Sequence, residues 1–345
     1  MKENLFGLFL PELEEHLRPH ETPAYRAKQI AEWMYARNVT CFADMTNIPK
    51  ELRIKLAQHF YIEELSVVAH QQSLDGKTSK YLLRLIDGNA IETVLMRQPY
   101  GNSVCVSSQV GCAMGCSFCA STLGGMVRNL SAGEILNQVF HFNRFLKDSG
   151  RVNTIVMMGS GEPLANYDHV LRFIRLCHET YCLNMSYRNI TISTSGLVPA
   201  IKRLADEELP INLSISLHAP NNEIRNRLMP INATYPVEDV LNVAALYASK
   251  TGRRVTYEYT LIKDINDGLH HARELAAKIK GQLANVNLIP VNSVEERGLL
   301  RPSASVVAAF ETALKRLGVN VTVRREMGSD IQAACGQLRH KTIRT

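Results

Sequence analysis

From about residue 103 onward the sequence alternates short apolar runs with longer amphipathic stretches, and this alternation limits the fold more than any other feature. Runs at 103–108, 152–158, 189–194, 211–217, 254–262, 284–290 and 319–324 have strand length and composition. Between them lie helical stretches near 131–149, 167–180, 198–207, 236–250, 268–280 and 303–317. Strand–helix repeats predict a parallel α/β sheet with crossover helices. Six such units are too few for a closed eight-stranded barrel, which leaves an open partial barrel or a doubly wound sheet. In both, functional residues gather at the carboxyl ends of the strands.

Upstream, residues 1–65 read as a small helical accessory domain. Thr22-Pro23 is a helix start, with a capping hydroxyl and proline at the first helical position. Ile30, Trp33, Met34 and Arg37 then share one helix face, and Leu52 and Leu56 sit four apart after Ile48-Pro49. Residues 66–97 turn strand-like around Asp87-Gly88, a hairpin dipeptide, and connect to a core expected over 98–345.

The opening run MKENLFGLFLPE is broken by Glu12, with Glu14 and Glu15 following, and lacks a small-residue cleavage site, so no signal peptide is expected. No uninterrupted apolar stretch approaches the roughly 20 residues of a membrane helix. In the cytoplasm expected for such a chain, the eight cysteines are reduced, which points them to metal or catalytic use. A formal charge of +6 is compatible with a polyanionic partner without requiring one. Basic residues group at Arg225, Arg227, Arg253 and Arg254, and again at Arg324, Arg325, Arg339, Lys341 and Arg344. On composition alone these are solvated faces.

VGCAMGCSFCAS, residues 110–121, spaces Cys112, Cys116 and Cys119 as C-x3-C-x2-C in the loop after the first core strand. A structural zinc site wants four ligands, usually as two pairs. No second C-x2-C follows, and His141 falls in the expected helix 131–149 with no paired ligand. A 4Fe–4S cluster held by three thiolates keeps one iron open for a substrate. MMGSGEPL (157–164) is a glycine-rich turn after a strand, ending in a carboxylate; alone it is only a tight strand–helix turn. ISTSG (192–196), SISLHAP (214–220) and NLIPVN (287–292) put polar residues at the ends of later strands, where a pocket would lie. His218 by itself reads more simply as a satisfied barrel histidine.

The triplet, with Phe118 before its third cysteine, resembles the cluster loop of radical S-adenosylmethionine (SAM) enzymes. The resemblance implies a partial (β/α)6 barrel and a 4Fe–4S cluster on Cys112, Cys116 and Cys119, with SAM at the open iron. It also implies a SAM site of Gly161, Glu162, Ser193, Ser216, Leu217, His218 and Asn292, with Glu162 pairing the ammonium group. Cys105 in SVCVSSQVGC and Cys335 in DIQAACGQL, together with ETVLM, RNL, SLHAPN and LMPIN, carry the resemblance to the RlmN/Cfr family of RNA adenine methyltransferases. It covers residues 90 to 340 and, more loosely, the helical N-terminus.

That family implies two SAM molecules per turnover. The first methylates Cys335; the second yields a radical that activates the S-methyl group for addition to adenine. Cys105 then helps remove the ring proton and resolves the covalent RNA adduct, leaving a Cys105–Cys335 disulfide. Glu92 in AIETVLM matches a family proton acceptor; its plainer reading is an edge-strand carboxylate facing water. Cys41, Cys177 and Cys182 match no motif and read as small apolar core residues. Val110, Pro163 and Ser195 favour the carbon-2 branch over the carbon-8 branch. Ser160 departs from the methionine common in this loop, which puts SAM affinity slightly in doubt.

The implied substrates are adenosine 2503 of 23S rRNA and adenosine 37 of tRNA, with a flavodoxin-type low-potential reductant, no membrane and a monomeric enzyme. The target base must leave its stack, and the N-terminal domain and basic groups are expected to touch the RNA backbone. A zinc-holding RNA-binding protein leaves Cys105, Cys335 and the glycine loop without a role, and a small-molecule radical SAM enzyme leaves the cysteine pair without one.

Overall fold

Apolar strands alternating with amphipathic helices bury their faces most completely as a parallel sheet with the helices packed over it. The computed structural model, which describes residues 2–325 and 327–338, has this arrangement. Arg339, Lys341 and Arg344 lie outside the described residues.

Three antiparallel strands, β1 (Ser66–Gln72), β2 (Thr78–Arg84) and β3 (Ala90–Gln98), lead into β4 (Gly101–Cys105). The parallel set follows as β5 (Val152–Met157), β6 (Ile190–Thr194), β7 (Asn212–Ser216), β8 (Val255–Leu261), β9 (Ala284–Pro290) and β10 (Val321–Val323). Among the described residues these ten strands form one sheet in unbroken sequence order, parallel from β4 to β10. Each core strand expected from the sequence is present. The expected hairpin turns at Gly88, whose φ is +86, and its strands extend the central sheet.

Period-two alternation sorts the core strands into two faces. Ile190, Ile192, Leu213, Ile215, Val255, Tyr257, Val286 and Leu288 are buried in the main core, which they share with helix residues such as Phe140, Phe173 and Phe310. The opposite face carries Ser193, Ser214, Ser216, Thr256, Glu258, Thr260, Asn285 and Asn287, and these line cavities. The sheet is strongly curled. Laid flat, six strand spacings would separate β4 from β10 by roughly 29 Å, yet Cys105 at the end of β4 and Arg324 just after β10 line one cavity. The result is an open partial barrel with a polar lumen, unlike the closed barrel filled by branched apolar side chains.

The N-terminal helices Leu10–Leu17, Ala24–Ala31 and Lys50–His59 send Leu13, Leu17, Ile30 and Leu56 into the same core, and Met34 joins them from the segment Glu32–Ala36. Thr22 does not cap: its hydroxyl donates to the His20 carbonyl at 3.4 Å, and the helix begins after Pro23. Cys177 and Cys182 are buried as expected, whereas Cys41 is exposed. No helix of the described residues is long and apolar enough to cross a membrane.

Candidate active site

Beyond β4 the chain runs on as residues 106–109, and the glycine turn after β5 folds directly onto it. Gly159 N–H donates to the Val106 carbonyl at 3.1 Å, and the Ser108 and Gln109 amides donate to the Ser160 carbonyl at 2.9 and 3.1 Å. A Cβ on Gly159 would lie 2.7 Å from the Ser107 hydroxyl. One on Gly161, at φ +111, would lie 2.7 Å from the Gln109 backbone nitrogen. Both glycines are therefore demanded by close approach.

This packing fixes Glu162. Its N–H donates to Gln109 Oε1 at 2.8 Å, and its carboxylate accepts the Leu164 and Ser195 amides at 3.0 and 2.6 Å. Burial raises its carboxyl above the usual range, and the hydrogen bonds from Ser195, Thr194 and Leu164 oppose that rise. Ser160 is buried with its hydroxyl 3.2 Å from that of Ser121, and its side chain is not on the cavity wall.

The cysteine loop is held by backbone bonds. Cys112 N–H donates to the Gly125 carbonyl at 3.0 Å, and a Cβ on Gly111 would fall 1.9 Å from that oxygen. The Thr122 hydroxyl donates to the Cys116 and Cys119 carbonyls at 3.2 and 3.0 Å, and Arg297 braces the Cys119 carbonyl at 3.1 Å. Burial pushes all three thiols up, Cys112 to about 11.

Cys112, Cys116 and Cys119 line one cavity together with Gly161, Glu162, Ser193, Ser216, His218, Asn292 and Cys335. Its space free of protein atoms, open mouth included, is about 890 Å³. Among the described residues no three His, Cys, Asp or Glu side chains are spaced to hold a single metal ion. Three thiols from one loop on one cavity wall are soft donors of the kind that hold an iron–sulfur cluster. Three buried thiolates also need a cationic group to balance them.

His218 is both a satisfied barrel histidine and a cavity wall. Its Nδ1 accepts the Thr260 N–H at 2.9 Å, its ring meets Phe118 edge-on at 4.6 Å, and burial lowers its pKa to about 3. The ring is thus neutral and its remaining polar atom is Nε2. The Leu217 side chain lies in the main core and off the cavity wall, because strand parity turns it away from Ser216. Only its backbone stays near the site, donating to the Glu258 carbonyl at 3.1 Å.

Arg225 is likewise no solvated charge. It is fully buried and donates to the carbonyls of Ser195, Ser216, Leu217 and Tyr235 and to Asn232 Oδ1, tying the ends of β6 and β7 together. Glu258, in the middle of β8, is another residue that the sequence reading passed over. It accepts from Asn287 at 2.8 Å and lines the cavity. A carboxylate inside the apolar run VTYEYTL was its signal.

A second cavity lies on the far side of Cys335. Cys105, Cys335, Asn292, Arg324, Arg301, Arg325 and Tyr100 are on its wall. Both cysteines line this cavity, and Cys335, Asn292 and Arg324 are common to both cavities. Asn292 donates to the Cys335 carbonyl at 2.9 Å, the Ala120 amide to the Gly336 carbonyl at 2.7 Å and Ser121 to the Leu338 carbonyl at 2.7 Å. Burial pushes the Cys105 thiol up to about 12, with Cys335 adding to the rise. Glu92 lines neither cavity. It does not face water either: it is buried on β3 and paired with Lys80.

Residues 106–276 match the model of the radical SAM superfamily, and residues 3–62 match that of the ribosomal RNA large subunit methyltransferase N-terminal domain. A "probable dual-specificity RNA methyltransferase RlmN" of Geobacillus kaustophilus is 54% identical over 98% of this chain and 93% of its own length. Its namesake in Symbiobacterium thermophilum is 52% identical over 99% of this chain and 93% of its own. The crystal structure of a radical SAM methyltransferase from Sphaerobacter thermophilus superposes with a TM-score of 0.95 at 46% identity, covering 97% of this chain and 99% of that one. The superfamily brings two cofactors with it, a 4Fe–4S cluster and SAM. The chain belongs to the RlmN family of radical SAM RNA methyltransferases.

Proposed function

We propose that this chain methylates carbon-2 of adenosine 2503 in 23S rRNA, and of adenosine 37 in tRNA, with two SAM molecules per turnover. The observation that carries this reading is that Cys335 lines both cavities, with the SAM-site residues on one side and Cys105 on the other. An aromatic carbon offers no nucleophile for direct displacement from SAM. A carrier that meets SAM first and the adenine next supplies the missing chemistry.

The Cys335 thiolate displaces the methyl group of the first SAM, with Glu162 holding the ammonium and Ser193, Ser216, His218, Asn292 and the Leu217 backbone framing the rest. Cys112, Cys116 and Cys119 would hold the cluster, which when bound would supply the single-electron chemistry for cleaving the second SAM to methionine and a 5′-deoxyadenosyl radical and would accept the electron returned after the carbon–carbon bond forms. That radical removes a hydrogen atom from the S-methyl group, and the sulfur-bound methylene adds to the ring carbon. Cys105, which lines the second cavity, helps pass the ring proton on, and Glu92, two positions from the Val94 that pairs with Cys105, is the proposed final acceptor. The Cys105 thiolate attacks the Cys335 sulfur, forming the S–S bond as the S–CH2 bond breaks. The released electron pair stays on carbon, which takes up a proton and leaves as the methyl group. A disulfide is two electrons more oxidised than two thiols, so a reductant restores the pair before the next turnover. A flavodoxin-type donor is the proposed source of electrons.

The second cavity receives the adenine after it leaves its stack. Tyr100, Arg301 and Arg325 are suited to stack the base and hold flanking phosphates. Residues 1–65 act as an RNA-contacting accessory domain, 66–97 as the connection and 98–345 as the catalytic domain of a cytoplasmic monomer. The test is anaerobic incubation of the reconstituted enzyme with SAM, reductant and unmodified 23S rRNA or tRNA, then mass spectrometry of the digested RNA. The expected product is 2-methyladenosine at both positions. A product that co-elutes with 8-methyladenosine would sink the carbon-2 assignment.

A further inference from the structure

Lys80 is a buried cation to which the scheme above gives no part. Its Nζ lies 3.4 Å from Glu92 Oε1 and donates to the Gln332 carbonyl at 3.2 Å. Gln332 belongs to the loop that carries Cys335. Strand register explains the grouping: Lys80 pairs with Val94, Val94 with Cys105 and Cys105 with Val156. Directly paired residues point to the same face, so Lys80, Val94 and Cys105 form one row. Glu92, two positions from Val94, faces the same way. An ammonium group is costly to bury unless its charge is matched and its protons are used. Here one segment supplies the charge and the cysteine-bearing loop supplies a carbonyl.

We propose that Lys80 is a positioning residue that ties Glu92 to the loop carrying Cys335, so that proton acceptor and methyl carrier keep one geometry. This rests on the reading of Glu92 and Cys335 given above. Methyl transfer from SAM to Cys335 makes no use of the Glu92 carboxylate. Removal of the ring proton needs Lys80 and Glu92 in register, so the lesion of a Lys80 variant falls after the carbon–carbon bond has formed. It leaves protein and RNA covalently joined.

The test uses the full-length, cluster-loaded enzyme as Lys80→Met, Lys80→Gln, Glu92→Gln and the Lys80→Met/Glu92→Gln double variant. Lys80→Gln keeps a donor for the Gln332 carbonyl and removes only the charge. Two readouts are taken for each: S-methylation of Cys335 by peptide mass spectrometry, and the covalent RNA adduct by denaturing gel. In both Lys80 variants the covalent adduct formed per S-methylated Cys335 should rise about tenfold or more over wild type, toward the range of a lost general base. The Lys80→Met effect should vanish in the Glu92→Gln background, as expected for residues acting as one unit. Release of RNA at the wild-type rate by Lys80→Met, or additive slowing in the double variant, overturns the proposal. Loss of Cys335 methylation in both Lys80 variants also overturns it, since Lys80 would then be a support of the fold. Absence of S-methyl-Cys335 from the wild type instead overturns the reading of the site itself.

Discussion

Arg324 sets its charge against the Cys335 thiol from the wall that the two cavities share, and its guanidinium also reaches the Met158 sulfur at 3.3 Å. Burial raises the Cys335 thiol, and Arg324 is the main force opposing that rise. The nucleophile is the thiolate, so below the thiol's raised pKa the S-methylation rate should climb about tenfold per pH unit. Arg324→Met removes the opposing charge and should move the whole profile to higher pH. At pH 7.5 this should lower the rate about tenfold or more, measured as S-methyl-Cys335 formed per minute. A profile that Arg324→Met leaves in place would contradict this assignment.

Gly161→Ala should abolish SAM binding and destabilise the chain by about 2 kcal/mol or more. Its Cβ would sit 2.7 Å from Ser108 and Gln109 atoms at a φ of +111. Equilibrium dialysis against SAM, with thermal unfolding alongside, checks both halves. Gly88→Ala is the comparison, since a Cβ there meets nothing within 4 Å.

The core strands were legible because polar residues alternate with apolar ones along them. Ser214 and Ser216 face the lumen while Leu213 and Ile215 enter the core, and that pattern is local in the sequence. The cysteine triplet was legible for a related reason, since one short loop supplies all three thiols. What stayed hidden is tertiary. A sequence counts Arg225 and Arg324 as positive charges without showing that one knits strand ends and the other faces a thiol. Nor does it show Glu92 buried against Lys80, because strand register brings them together.

RNA affinity should divide the basic residues by position. Arg301 and Arg325 line the second cavity, whereas Arg253 and Arg254 precede β8 at the opposite end of the lumen. Arg301→Ala and Arg325→Ala should each reduce the slope of log affinity against log salt by about one. Arg254→Ala should leave it unchanged. Filter binding of an unmodified rRNA fragment across a salt series reads this directly.

Glu63 predicts a pH dependence of stability. It is buried, and burial, with Glu134 adding, raises its carboxyl to about 7. An unfolded carboxyl ionises near 4.3. Its contribution is therefore fully present below about pH 4 and is lost as pH rises through 7. Glu63→Gln keeps an oxygen for Asn4, which donates to Glu63 at 2.9 Å, and avoids the buried charge. It should leave stability unchanged near pH 4 and raise it by up to about 3 kcal/mol above pH 8. Denaturant unfolding at pH 5 and pH 8.5 should show the larger gain at the higher pH.

The claim on which the account turns is that carbon reaches RNA by way of the Cys335 sulfur. SAM carrying a fully deuterated methyl group, given anaerobically with reductant and unmodified 23S rRNA, tests it in one mass spectrum. Passage through S-methyl-Cys335 requires one methyl deuterium to be removed before transfer, so the RNA product should carry two, and Cys335→Ala should give none. Three deuteriums on the RNA methyl group, or full activity in Cys335→Ala, would mean direct transfer and would contradict the account.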